Sequence, residues 1–388
     1  MARYTEFYRG RRKRRNYAFI PFVIALALVA VVVVLFYGMQ KYAVITKDGV
    51  DVVLPGMERE ETVLGGPDGE LPVFDEVPVT LVIENPDYSG VKAVAGKDVE
   101  PLRAIFIASE DLNSDNLFSR AAQLNSGNAL VLEMKPRSGY LKWTSNAKLA
   151  VDYGLMEQNE LADNWKAMIL GLQQYAGEQE KEIRLVAQIS CCVDSALATR
   201  SADFALRNAA GFDIIDDTGY WLDPYNTQLR SYIVELVREL YDLGFDEVVL
   251  ADVAHPVVET PEGQDPMQFM YSKEMSTVPT PENAVCGFAL YVANELSDRT
   301  GGLGIYTGTR RSLVGLDEGT GQNAPLFLKV YDRVWFRTDR YEYTFNYQDI
   351  EKHVSIGSAN DRFMPVVINY LPDNSSWVYI EDLEALNG

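Results

Sequence analysis

Three carboxyl groups, Glu133, Asp252 and Asp339, fall at or just past the ends of short apolar runs, in segments 129–135, 247–252 and 333–339. Strand ends that converge would bring such groups together. Two carboxyl groups about 5 to 9.5 Å apart, one protonated and one ionised, are the equipment for hydrolysing a glycosidic bond. Near them in the pattern, Lys135, Gln188, Arg337 and Asn369 offer charged or planar hydrogen-bonding groups, and Tyr220, Trp221 and Trp335 offer flat apolar faces. A sugar needs both, because its hydroxyls take hydrogen bonds while its ring face stacks on an aromatic. The competing reading is structural: Arg337 pairs with Asp339 or Glu133 and merely neutralises buried charge. Tyr220 and Trp221 could equally close the mouth as loop aromatics, and Asp223 reads as the cap of a helix beginning near Asn226.

Other chemistries lack raw material. The chain has two histidines, His255 and His353, and three cysteines, Cys191, Cys192 and Cys286, with no C-x-x-C spacing. That leaves little for Ser-His-Asp catalysis or a zinc site, and no metal or cofactor is expected. No Gly-rich phosphate loop follows an early strand candidate. The net charge of -21 disfavours nucleic acid as a partner, since a polyanion would approach against the field of the protein.

The elements that must position the candidates follow from periodicity. Seven apolar, β-branched runs, 102–109, 129–135, 183–190, 247–252, 304–308, 333–339 and 365–370, alternate with stretches of helical period. Leu229, Ile233, Leu236, Val237 and Leu240 share one face of a helix stopped by Gly244, and Thr280 with Pro281 starts another that ends near Gly301. This alternation predicts an α/β fold, a TIM-like (β/α)8 barrel with one strand unrecognised or missing; an open doubly wound sheet is the competitor. Within a barrel strand alternate residues point inward. That rule sets Ala129, Val131, Glu133 and Lys135 against Leu130, Leu132 and Met134, and Trp335, Arg337 and Asp339 against Val334, Phe336 and Thr338. It also puts Gln188 and Ser190 opposite Leu185 and Ile189, and Asn369 opposite Ile368 and Tyr370.

The N-terminal part has a different task. Residues 1–16 form a basic cytoplasmic tail, with seven Arg or Lys against Glu6. Within 17–38, the stretch 18–37 carries no charge, and fourteen of its twenty side chains are Leu, Ile, Val or Phe. At roughly -0.3 to -0.6 kcal/mol each these favour the bilayer, so a single transmembrane helix precedes the barrel; a retained signal peptide is the alternative. The basic residues before it orient the N-terminus to the cytoplasm, leaving the main domain extracytoplasmic. Residues 39–100, rich in Gly, Pro and acids, read as a linker with short strands such as 79–83, and 101–388 as the barrel domain.

The stretch from about 102 to 343 resembles a bacterial family of putative glycoside hydrolases with (β/α)8 domains. The likeness is carried by N-A-L-V-L-E-M-K at 128–135, by W-L-D-P-Y at 221–225 with G-F-D-E-V at 244–248, and by G-T-G-Q-N at 319–323. It implies a barrel that acts on polysaccharide or another glycan. The chain departs from the family pattern at the expected site: Ala251 takes the place of an aspartate and Ala254 that of an arginine, Pro136-Arg137-Ser138 replace acids, and Gln188 replaces an arginine. Asp252 stands one residue past the aspartate position and faces inward only if the strand ends or bulges there. The expectation is a membrane-anchored glycoside-hydrolase-like protein of the cell envelope, using Glu133, Asp252 and Asp339. The alternatives are an inactive barrel that binds glycan or protein, and a structural part of a membrane assembly.

Overall fold

The computed structural model describes residues 43–46, 49–52, 99–124, 128–257, 269–271, 280–338, 359–368, 370–372 and 375–381. The apolar segment 17–38, the strand expected at 79–83, Asp339 and Asn369 lie outside the described residues. In the N-terminal unit, Ala43–Thr46 and Gly49–Val52 pair as an antiparallel hairpin.

In the second unit, Thr80–Gly388, eight parallel strands close on themselves. They are β1 (Arg103–Ile107), β2 (Ala129–Lys135), β3 (Arg184–Ser190), β4 (Glu247–Ala251), β5 (Gly302–Thr307), β6 (Arg333–Arg337), β7 (Phe363–Ile368) and β8 (Trp377–Ile380). Each pairs with the next, and β8 pairs with β1. The open-sheet alternative is thereby excluded. The strand absent from the sequence reading is β8, whose W-V-Y-I is β-branched and aromatic but only four residues long.

Long helices α1 (Ser114–Gln123), α2 (Glu160–Glu178), α3 (Thr227–Leu243) and α4 (Pro281–Glu295) have their N-terminal N–H groups capped by Asn113, Asn159, Asn226 and Thr280. Gly244 ends α3 at φ 112°, a left-handed turn that glycine takes without a Cβ penalty. The cap of α3 is Asn226, whose side chain accepts from the N–H groups of Gln228 and Leu229; Asp223 instead turns the preceding loop by accepting from the Tyr225 N–H. Helix α4 stops at Glu295, before the glycine pair 301–302.

The alternation of side chains builds two apolar layers. Leu130, Leu132, Met134, Leu185, Ile189, Val334 and Phe336 pack between strands and helices. Ala129, Val131, Val186, Val249, Trp335 and Met364 fill the barrel interior. At the N-terminal ends of the strands, Arg333 of β6 pairs with Glu247 of β4, both buried. At the other end the interior opens.

Candidate functional site

The C-terminal ends of the strands surround a cavity of about 500 Å³ lined by Phe106 (β1), Glu133 (β2), Gln188 and Ser190 (β3), Ala251 (β4), Tyr306 and Thr307 (β5), Arg337 (β6) and Ile380 (β8). Loop residues Arg137, Trp221, Asp252, His255, Gly308 and Gln322 complete it. Functional residues of such barrels sit at this end, on the loops that follow the strands.

Glu133 reaches the cavity by strand alternation. Its Oε2 accepts the Ser109 N–H at 2.9 Å, which ties it to the loop after β1. Asp252 arrives by another route. Strand β4 ends at Ala251, and Asp252 takes φ 55°, a left-handed conformation uncommon for any residue but glycine. That turn breaks the alternation which would have sent Asp252 into the helical layer. The inward position of Ala251 carries no functional group, and the left-handed turn brings a carboxylate in from the next residue.

Arg137 closes on this carboxylate with three hydrogen bonds of 2.7 to 3.2 Å, and the Ser190 hydroxyl lies 2.6 Å from Asp252 Oδ2. Hydrogen bonding to Asp252 raises the pKa of Arg137 above its ordinary value. Arg337 stands exposed at the end of β6. Gln188 lines the cavity, and its buried Oε1 has no hydrogen-bond partner among the described residues.

A strap holds one wall. The Gln322 side chain donates to the Val253 and Tyr306 carbonyls and accepts from the Gly308 N–H, joining the ends of β4 and β5. The neighbouring Thr320 carbonyl accepts the His255 N–H. His255 is buried, its Nε2 is 3.0 Å from the Tyr271 hydroxyl, and burial pushes its pKa down to about 3, so the ring is neutral at physiological pH. Among the described residues no group of three His, Cys, Asp or Glu converges as a metal would require.

Three residues read as substrate-binding do not line the cavity. A register shift between β2 and β3 follows Glu133, so Lys135 pairs with Ile189, a residue of the outer layer. The slip takes Lys135 off the cavity row, and its ammonium is buried against Asp194 Oδ2 at 2.8 Å and the Ser190 carbonyl at 2.7 Å. Trp335 points inward as expected but lies a layer below, fully buried, with its ring centroid 5.7 Å from that of Tyr306. Tyr220 sits half-buried beside the mouth on the small hairpin formed by Ile215–Asp216 and Gly219–Tyr220. Its neighbour Trp221 does line the cavity, fixed by donation from Nε1 to Asp216 Oδ2 at 2.7 Å. Arg137, Tyr306, His255 and Gln322 were not among the sequence candidates for the site; only the G-T-G-Q-N segment signalled the last of them.

An eight-stranded parallel barrel with acidic and aromatic side chains at its C-terminal mouth defines the class. The family model described as "Putative glycosyl hydrolase domain" matches residues 104–334, and the chain belongs to that family. No curated protein matches the chain by sequence. Among solved structures it is similar to the PgaB (BpsB) glycoside hydrolase domain from Bordetella bronchiseptica, with 14% identity, 72% of this chain and 94% of that chain covered, and a TM-score of 0.46. It is also similar to a hypothetical protein from Ruminiclostridium thermocellum ATCC 27405 (20% identity, 52% and 96% covered, TM-score 0.41). A third similar structure is Aspergillus fumigatus Ega3 in complex with galactosamine (10% identity, 74% and 81% covered, TM-score 0.37).

Proposed function

We propose that the barrel mouth binds a glycan chain and hydrolyses a glycosidic bond, with Glu133 as the proton donor and Asp252 as the carboxylate. The observation that carries this reading is that Glu133 and Asp252, delivered by β2 and by the turn after β4, line one cavity at the C-terminal end of the barrel. In this reading a proton on Glu133 Oε1 passes to the leaving oxygen as the bond to the anomeric carbon breaks, while Asp252 either attacks that carbon or takes a proton from the water that does. Gln188 accepts a sugar hydroxyl through its unfilled Oε1, and Trp221 offers a ring face. Asp339, outside the described residues, follows Arg337 by two positions and is proposed as a third carboxylate of the same mouth; Asn369 is proposed as a further ligand-binding group.

A second reading, binding without turnover, is favoured by one observation: the Asp252 carboxylate is occupied by Arg137 and Ser190. Reducing-sugar release from a panel of envelope and environmental polysaccharides separates the two. Release that is lost in Glu133→Gln supports hydrolysis. Binding without release, unaltered in Glu133→Gln, supports the module.

The apolar stretch in 17–38 and the basic residues before it support a tethered protein with the barrel outside the cytoplasm. Digestion of the barrel by protease added to intact cells tests this; a barrel protected until lysis would overturn it.

A further inference from the structure

Among the described residues lining the cavity, the acidic and basic side chains other than His255 are Glu133, Arg137, Asp252 and Arg337. Arg137 and Asp252 satisfy one another. Glu133 is held by a backbone N–H. Arg337 alone of the cavity's two guanidinium groups forms neither an ion pair nor a hydrogen bond with the described residues. In a chain with 56 Asp and Glu against 35 Lys and Arg, carboxylates are plentiful, yet among the described residues none takes the donors of this arginine at the rim of the cavity. A guanidinium presents a rigid planar fork that matches a carboxylate with two parallel hydrogen bonds, a geometry that single hydroxyls do not fill.

Resting on the glycan reading above, we propose that the cavity selects glycans bearing an isolated uronic-acid carboxylate, and that Arg337 is the residue that recognises it. The acid is isolated because the net charge of -21 opposes a dense polyanion as it comes close to the surface. That repulsion is screened beyond about 8 Å at physiological ionic strength, whereas a pair in contact inside the mouth is not.

The test uses the full chain and calorimetric titration with oligosaccharides that each carry one uronic acid, each matched to its carboxyl-reduced counterpart. At least one acidic member binds about tenfold tighter than its reduced form, the ratio falls below about twofold in Arg337→Gln, and Arg337→Lys keeps part of it. Equal binding of both forms by the unaltered chain overturns the acidic preference while the glycan reading survives. A preference that persists in Arg337→Gln overturns the role of Arg337. Absence of binding by every acidic and neutral member overturns both.

Discussion

Arg137 and Asp252 meet through three hydrogen bonds at the point where β4 ends and the backbone turns left-handed, so a loop after β2 fixes a carboxylate that its own strand would have pointed elsewhere. The pair is half-open to solvent on the arginine side, which moderates its strength, but it sets where the Asp252 oxygens stand.

Arg137→Gln is therefore expected to lower kcat for glycan cleavage by about tenfold with a smaller change in KM, because a misplaced carboxylate weakens the transition state more than the ground state. Steady-state kinetics on any cleaved member of the panel checks this. An unchanged kcat would detach Asp252 from the chemistry.

Lys135 serves the frame. Its buried pair with Asp194 leaves an uncompensated charge when one partner is removed, so Lys135→Met is expected to cost about 3 kcal/mol or more in urea unfolding. Gly139 belongs to the same arrangement. It has φ 92°, and an added Cβ would fall 1.9 Å from Asp194 Oδ1, so Gly139→Ala destabilises as well. A loss under about 1 kcal/mol in Lys135→Met would contradict this role.

His255 links stability to pH. Its folded pKa of about 3 lies below the ordinary 6.5, so the unfolded chain binds a proton between those values that the folded chain refuses. The stabilisation is present above pH 6.5 and is lost as pH falls towards 3, at about 1.4 kcal/mol per pH unit. The stability gap between the unaltered chain and His255→Gln should narrow by that slope below pH 6.5. Parallel profiles would contradict the assignment.

The cysteines should be inert. Cys191, Cys192 and Cys286 are buried as thiols, and burial pushes the thiol of Cys192 up to about 12. A thiol reagent at pH 8 is expected to modify none of the three until the chain is denatured; rapid native labelling would show that the layer outside the barrel opens.

Much of the frame could be read from the sequence because apolar alternation is a direct consequence of burial on two faces. Leu130 against Val131 and Val334 against Trp335 sorted into the two layers by parity alone. The site was harder to read wherever the backbone left regular geometry. The shift after Glu133 removed Lys135 from the mouth, and the left-handed residue at 252 restored a carboxylate, neither of which period-two counting can foresee. Depth was equally hidden: parity gave the direction of Trp335 but not that Tyr306 would lie above it. Arg137 and His255 belong to loops, where periodicity has nothing to say.

The central claim, that the cavity at the C-terminal end of the barrel is where glycan binds, meets its most direct test in Gly308→Trp. Gly308 is exposed on the cavity wall, and among the described residues a Cβ there would meet only Gln322 Oε1 at 3.6 Å, so the indole fills the mouth while the barrel stays folded. Titration of the panel into this variant is expected to show at least a hundredfold loss of affinity at an unchanged unfolding temperature. Affinity equal to that of the unaltered chain would place the glycan elsewhere and contradict the account.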